Sequence, residues 1–343
     1  MIEIDEYNNY DDVYQIWQDL NRQYKGGELA LDWQLHRELW ERFHYEAGSG
    51  LKIIVASEAG SCVGILPFSK SPPESSDAPP EYEWVYGEEG LISREYFCSP
   101  EIIDAIVPYL PPHSCTDLSC FYRPRNVTRF TPHPGCIVDL KTTESAYLSS
   151  IKPGDRKHYL KTEQMNSDME VVVDNAVRED IVGALREQYI EFWMTKVADR
   201  AKGDAEDSKL KILKDFALFS EAERLGKLIV LHFFLNGRLV AANFAVRREN
   251  DRVDDYLCLR DTDKSLLKRR LGVYAIIKNM QYCRSIGIRY YDLSDFRAAY
   301  KQAFLNTAFQ YWMPKTAPLL DHPQPVGLSS PPEEDAMRKR RTA

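Results

Sequence analysis

The chain has 343 residues, a net charge of −8 and a pI near 5.5, and 44% of its residues are hydrophobic. Its length exceeds the about 100–200 residues typical of one domain, so we expect two domains, and the acidic balance argues against general nucleic-acid binding. A mean hydropathy of −0.44, the lack of a long uncharged apolar run and an acidic start without signal-peptide features predict a cytoplasmic protein with no transmembrane helix.

Several motifs of common enzyme and metal sites are missing from the sequence. The seven cysteines are scattered and never spaced as a zinc pair, so we expect reduced, mostly buried thiols and neither disulfides nor a metal. The seven histidines are equally dispersed. No nucleophile elbow, P-loop or G-x-G-x-x-G fingerprint occurs, which argues against a hydrolase, a nucleoside triphosphatase and a dinucleotide enzyme.

Two halves of the chain share one pattern. Residues 51–68 and 228–246 each form an apolar run, a glycine-bearing turn and a second apolar run, which predicts a β-hairpin in each half. Two segments with helical periodicity precede each hairpin, such as Val13, Ile16, Trp17 and Leu20 in the first half. The simplest interpretation is a duplicated α/β unit, and a coincidence of ordinary hairpins is the alternative.

The second half predicts a mixed sheet. Asn236-Gly237 between two apolar runs is a strong signal for a two-residue hairpin turn. The short apolar run 288–293 follows a helical segment, so it is expected to enter the sheet through a crossover, parallel to a neighbour. The predicted fold class is therefore α/β (α+β), with two units whose sheets are mostly antiparallel and flanked by helices.

Three further segments have distinctive compositions. Residues 69–83 are rich in proline and serine and predict an exposed excursion or lid, and residues 314–343 predict a disordered tail. Residues 142–164 predict a helical, basic segment between the units. Its Arg156, Lys157 and Lys161 either form a cationic rim for an anionic acceptor or belong to a solvated connecting helix.

The stretch 264–304 combines a basic helix start with a strand that ends in acidic residues. Three cations, Lys268, Arg269 and Arg270, precede Gly272, where a helix is predicted to begin. The first N–H groups of a helix lack partners and its dipole end is positive, so this is a suitable place for a pyrophosphate. Asp292 and Asp295 follow at the end of the predicted strand, where a carboxylate with a raised pKa can face a cleft.

A strand hairpin, Arg269-x-x-Gly272, a helix, a strand and Tyr300 in succession resemble the acetyl-coenzyme A core of the GNAT acyltransferase superfamily. Asp292 followed by Tyr300-Lys301 is similar to the D-x(7)-Y-K ending of its CelD-like (cellulose-biosynthesis-type) and FemAB-like members. The resemblance implies two tandem GNAT-like units, over residues 1–140 and 167–313, joined by the basic segment 141–166. It also implies that the second unit binds acyl-coenzyme A.

The resemblance implies roles for individual residues. Tyr300 would be the general acid, Asp292 would handle the acceptor or act as base, and Lys301 would stabilise an oxyanion or hold a phosphate. Residues expected to bind the coenzyme are Lys268, Arg269, Arg270, Leu271, Gly272, Val273 and, through backbone groups facing the pantetheine arm, Asn243. Residues expected to line the acceptor pocket are Tyr189, Trp193, Asp295 and Arg297.

The resulting hypothesis is direct transfer of an acyl group from acyl-coenzyme A to an amine or hydroxyl of a small molecule or cell-envelope precursor, without a metal. One alternative is a FemAB-like transferase that takes an aminoacyl group from tRNA to a peptidoglycan precursor. A second is a non-catalytic GNAT-like binding module. That possibility stays open because Tyr274 and Phe296 stand where the family motifs usually have small residues.

Overall fold

The described part of the first half contains a five-stranded sheet and the helices α1 and α2. The computed structural model describes residues 2–23, 33–45, 48–70, 82–84, 91–92, 105, 130–200, 205–249, 251–293, 299–307 and 309–314. In the first half the elements are β1 (Ile2–Tyr7), α1 (Tyr10–Gln23), α2 (Trp33–Trp40), β2 (Gly50–Glu58), β3 (Ser61–Lys70), β4 (Tyr82–Trp84) and β5 (Leu91–Ile92). One turn of π-helix, Glu41–Tyr45, continues α2.

The second half contains a six-stranded sheet and most of the helices. Its elements are β6 (Phe130–Gly135), β7 (Ile137–Asp139), α3 (Glu144–Ser150), α4 (Pro153–Met165), β8 (Glu170–Asp174), α5 (Glu179–Arg200), α6 (Ala205–Arg224), β9 (Leu228–Leu235), β10 (Arg238–Glu249), β11 (Arg252–Arg260), a 3₁₀ helix (Lys264–Arg269), α7 (Leu271–Ser285), β12 (Tyr290–Asp292), α8 (Ala299–Gln302) and β13 (Phe309–Pro314). The strand order in the large sheet is β7-β12-β11-β10-β9-β8, and β13 pairs separately with β6. None of the helices in these described ranges is both long and apolar enough to cross a membrane.

The two units repeat one order of elements, which confirms the predicted duplication over the described ranges. Each unit runs strand, helix, helix, hairpin, and in each the first strand pairs antiparallel with the first strand of the hairpin. Both hairpins turn through two residues with positive φ, Ala59-Gly60 and Asn236-Gly237. Such a turn matches the twist of the flanking strands, and glycine adopts it without steric cost. The fold is therefore α/β (α+β), with two tandem units of the same element order.

The two units share one hydrophobic core. Trp17 of α1 and Leu39 of α2 belong to the same buried cluster as Phe219 of α6 and Phe244 of β10. The Phe219 and Phe244 rings stack at a centroid distance of 4.7 Å. A second cluster, on the opposite face of the large sheet, packs α3, α4 and α7 against it. The large sheet is thus covered by helices on both faces, one of them shared with the first unit.

The connection between the units differs in two respects from the sequence prediction. The basic segment 142–164 forms two helices, because Pro153 starts α4 at a position where its missing N–H costs nothing. The strand Ile137–Asp139, which the sequence analysis assigns to the first unit, pairs antiparallel with β12 and extends the second sheet.

The predicted excursion at 69–83 also needs correction at its ends. Ser69 and Lys70 continue β3, and they pair with Glu83 and Tyr82 of β4, so the ends of this segment form a strand pair. Residues 71–81 and the predicted tail from residue 315 lie outside the described residues.

A buried ion-pair cluster joins β11 to β12. The two strands pair in parallel, with Asp254 opposite Asp292. The Arg252 guanidinium donates from Nε to Asp254 Oδ1 at 3.0 Å and from Nη2 to Asp292 Oδ2 at 2.9 Å. All three side chains are at least nine-tenths buried. Arg252 therefore links the carboxylates of both strands in a region that water does not reach.

Removing one member of this buried cluster should destabilise the protein strongly. Asp292→Ala should lower the free energy of unfolding by about 3–5 kcal/mol, because it leaves the Arg252 charge buried with one partner fewer. The exposed pair between Arg178 and Asp180 provides the control, and Asp180→Ala should leave the free energy of unfolding little changed. Urea unfolding measures both values. Equal, small effects of the two substitutions would contradict the bracing role of Asp292.

Candidate functional site

A slot opens where β11 and β12 part. β12 pairs with β11 only at residues 252–254 and ends at Asp292, whereas β11 continues to Arg260. Within the described part of the chain, β11 therefore has no strand paired on that side at residues 257–260. A strand edge of this kind is one to which an extended ligand can add like another strand.

A β-bulge lies beside this slot. The register between β10 and β11 shifts between Phe244 and Ala245, which pair with Leu257 and Asp255, so Tyr256 is the extra residue. A bulge bends its strand and redirects the side chains next to it. Residues 255–258 are partly exposed here, whereas residues 252–254 are buried.

Asp255 is the titratable residue at the narrow end of the slot. Its Oδ1 accepts hydrogen bonds from Asn243 Nδ2 at 3.0 Å and from the Tyr291 hydroxyl at 2.8 Å. Burial of the carboxyl group raises its pKa above the usual value, and the two hydrogen bonds and the charge of Lys301 offset part of this rise. A carboxyl group with a raised pKa beside an open slot is a candidate general base.

Tyr300 and Lys301 lie beside the same slot, on α8. Tyr300 is 51% exposed. Partial burial, followed by the nearby charges of Asp255 and Cys258, raises its pKa to about 12. The Lys301 ammonium donates a hydrogen bond to the backbone oxygen of Leu293, the residue after β12. The structure thus brings Tyr300 and Lys301 close to Asp255, which the sequence analysis did not single out.

Asp292 is the last residue of β12, at the strand end where it was predicted. Its side chain is buried and accepts a hydrogen bond from the Arg252 guanidinium. A carboxylate bound in this way braces the two strands immediately before they separate. This contact with Arg252 accounts for Asp292 as a structural residue, without any contact to an acceptor.

Asn243 contributes its side chain, which corrects the expectation that its backbone faces a ligand. The residue is fully buried on β10, paired with Leu231 of β9 on one side and Cys258 of β11 on the other. Its backbone is therefore enclosed between two strands. The side chain instead donates to Asp255 and accepts a hydrogen bond from the Asn279 amide of α7.

The side chain of Arg260 places a second cation, after Lys301, beside the start of α7. Arg270 caps this helix with φ of 53°, and no side-chain hydrogen bond closes the cap. At Gly272, an added Cβ would lie 3.4 Å from a guanidinium nitrogen of Arg260, the last residue of β11. Arg260 thus places a positive charge against the positive end of the helix dipole, an arrangement that an anion between them would stabilise.

The other predicted coenzyme residues have different surroundings. Arg269 forms a two-point ion pair with Asp168, at 2.6 and 2.9 Å, which ties the 3₁₀ helix to the residues after α4. Leu271 is buried in the core, and Val273 packs against it. Lys268 and Arg270 line a groove beside α4.

The predicted acceptor pocket is described only in part. Tyr189 of α5 is mostly buried, and it is near enough to Tyr300 to help raise the pKa of that hydroxyl. The side chain of Trp193 lies outside the described residues, as do Asp295 and Arg297. Within the described ranges, no group of three or more metal-ligating side chains is present.

Asp255 and Arg260 are the residues of this site that sequence reasoning missed. Their only signal in the sequence is that acidic residues interrupt the apolar run of β11 and that an arginine ends it. Neither feature indicates a site until the bulge and the parting of the strands are known.

Comparisons with known proteins gave matches among solved structures, at low sequence identity. No family model matches the chain, and a search of curated proteins gave no match. Among solved structures, the chain is similar to a conserved protein of unknown function from Bacteroides thetaiotaomicron, with 13% identity, a TM-score of 0.49 and coverage of 91% of this chain and 98% of that one. It is similar to FemX, with 9% identity, a TM-score of 0.48 and coverage of 91% and 97%. It is also similar to a tandem GNAT protein from the clavulanic acid biosynthesis pathway, with 13% identity, a TM-score of 0.43 and coverage of 91% and 97%.

Proposed function

We propose that this protein is an acyltransferase that moves an acyl group directly from acyl-coenzyme A to an amine or hydroxyl. The observation that carries the proposal is the slot between β11 and β12, which has Asp255 and Tyr300 beside it and leads to the Arg260–Gly272 anion site. Acyl-coenzyme A has its groups in the same order, because an extended arm separates its thioester from its pyrophosphate. The acceptor is a small molecule or a cell-envelope precursor.

In this proposal the pantetheine arm lies along the edge of β11 at residues 257–260, and its amide groups pair with the strand backbone there. The pyrophosphate lies at the start of α7, where the first helical N–H groups and the Arg260 guanidinium donate to it. Gly272 allows this approach because it has no side chain between the helix end and Arg260.

The chemical step requires one proton to leave the acceptor and one to reach the thiolate. Asp255 takes the proton from the acceptor amine or hydroxyl as the bond to the acyl carbon forms. The C–S bond then breaks, and Tyr300 donates to the departing thiolate. The raised pKa keeps Tyr300 protonated at neutral pH, which is the state that donates. We assign the base to Asp255 and a bracing role to Asp292.

Arg260 is expected to dominate coenzyme affinity. Arg260→Ala should weaken acetyl-coenzyme A binding about 10-fold or more, since charge-assisted hydrogen bonds contribute about 1.5–3 kcal/mol each. Arg22→Ala, which removes an exposed arginine of α1, serves as the control and should leave affinity unchanged. Isothermal titration calorimetry measures both. Equal affinities for the two variants would remove the pyrophosphate from this helix start.

Tyr300→Phe should lower kcat by roughly 10²–10⁴-fold on a competent acceptor, because it removes the donor hydroxyl and keeps the ring. Coenzyme affinity should stay within a factor of about two of the wild-type value. Steady-state kinetics with calorimetry separates the two quantities. A variant with near wild-type kcat would show that Tyr300 only packs at the slot.

Asp255 should set the acidic limb of the pH profile of kcat/KM. Because the pKa of Asp255 is raised, its carboxylate form and the activity should appear at a higher pH than for an ordinary aspartate. Tyr291→Phe removes a hydrogen bond that favours the charged form, so the limb should move to still higher pH. Asp255→Asn should abolish the limb together with most of the activity. A limb that stays in place in both variants would assign it to another group.

A further inference from the structure

Two neighbouring helices each present an exposed leucine one turn after an exposed lysine. On α4 these residues are Lys157 and Leu160, and on the 3₁₀ helix before α7 they are Lys264 and Leu267. Residues three apart lie on one side of either kind of helix, so each leucine shares a face with its lysine. Lys161, the residue after Leu160, is exposed as well.

The two leucines are very open to solvent for apolar side chains. Leu160 is 48% exposed, and Leu267, at 69%, is the most exposed large hydrophobic side chain among the described residues. The preceding residue, Leu266, is buried in the core, so the 3₁₀ helix is anchored with Leu267 directed outward. Single exposed leucines are ordinary on a protein surface, whereas a set of them with a polar rim indicates an interaction surface.

The exposed sides of the two helices adjoin each other. Lys161 and Leu267 line the same groove, one from each helix. The 3₁₀ helix is tied to the end of α4, because Asn166 Nδ2 donates to the Arg269 carbonyl at 2.9 Å and the Arg269 guanidinium forms a two-point ion pair with Asp168. The fold therefore sets the spacing between the two leucines. The name basic–apolar surface is used below for Lys157, Leu160, Lys161, Lys264 and Leu267.

The carboxylates of α4 lie away from the basic–apolar surface. Asp155 precedes Lys157 by two residues, which is about 200° around an α-helix. Burial and, in smaller part, the nearby charge of Asp155 raise the pKa of the Tyr147 hydroxyl, which places Asp155 on the inner side of α4. Glu163 accepts a hydrogen bond from Lys278 of α7 at 2.9 Å. Neither carboxylate therefore neutralises the exposed lysines of this helix.

The exposed lysines keep their charge available to a partner. Lys157, Lys161 and Lys264 form no ion pair within the described part of the chain. Asp263, which precedes Lys264, caps the 3₁₀ helix by accepting a hydrogen bond from the Ser265 N–H at 2.8 Å. In a chain with a net charge of −8, three such lysines around two leucines form a local positive field that attracts an anionic partner.

We propose that the basic–apolar surface binds a bilayer of anionic lipids. Lysines near such a bilayer are attracted by its negative surface potential, and the leucines between them enter the boundary between headgroups and acyl chains. The leucines favour lipid over nucleic acid, because single-stranded nucleic acid stacks its bases on aromatic rings, and this surface presents leucines instead. The inference does not depend on the proposed acyl transfer, in which none of these five side chains takes part.

Vesicle sedimentation with the intact protein tests the two parts of the surface separately. The wild type should bind vesicles of phosphatidylcholine with phosphatidylglycerol and should not bind vesicles of phosphatidylcholine alone. Lys157→Ala/Lys161→Ala should weaken binding to the anionic vesicles about 10-fold or more, and high salt should weaken wild-type binding in the same way. Leu160→Ser/Leu267→Ser keeps all the lysines and should also weaken binding about 10-fold, because it removes the apolar area that enters the bilayer.

Matched controls remove the same kinds of side chain elsewhere. Arg22→Ala/Lys70→Ala removes two exposed cations of the first unit, and Ile286→Ser removes an exposed apolar side chain at the other end of α7. Both should bind the anionic vesicles like the wild type, and all variants should keep the wild-type melting temperature because the substituted side chains are exposed. A wild type that ignores the anionic vesicles, or wild-type binding by the lysine variant, would overturn the proposal. Wild-type binding by the leucine variant alone would show that the surface recognises only charge, as for RNA, and would overturn it equally.

Discussion

The position of the site depends on where the pairing between β11 and β12 ends. The Arg252 guanidinium binds a carboxylate from each strand, so the strands are fixed in parallel register up to Asp254 and Asp292. Immediately afterwards β12 ends, and the bulge at Tyr256 redirects β11. A buried ion pair is costly to form and very costly to break, so it specifies register more than it adds stability. The slot therefore opens at a fixed place, with Asp255 as its first residue.

The polar groups around Asp255 form a continuous path from the helix layer to the slot. Asn279 of α7 bonds to Asn243 of β10, which bonds to Asp255 of β11, and Tyr291 of β12 bonds to the same carboxyl oxygen. Each donor favours the charged form of Asp255, whereas burial favours the neutral form. A carboxyl group held between these opposing effects can accept a proton and release it again, which is what a transfer reaction requires of a base.

The sequence predicted those parts of the fold that depend on local signals. The Asn236-Gly237 turn needs positive φ at both residues, and Gly272 marks the start of α7, so both could be identified without knowing any distant contact. Tyr300 is a candidate that rests on motif resemblance. Asp255 and Arg260 could not be found in this way, because their roles follow from strand separation and from the distance between β11 and α7. The edge strands β1 and β8 are also weak in the sequence, since their exposed faces dilute the apolar pattern.

Positive charge is concentrated beside α4, in the segment that connects the two units. Helices α1 and α2 of the first unit belong to the same hydrophobic cluster as α5 and α6, which cover one face of the second sheet. The opposite face is covered by α3, α4 and α7. α4 belongs to the connection between the units, and it is this helix that brings Lys161 to the groove beside Arg270. The connecting segment therefore places cations next to the start of α7. A single unit without this segment would leave the start of α7 exposed to solvent.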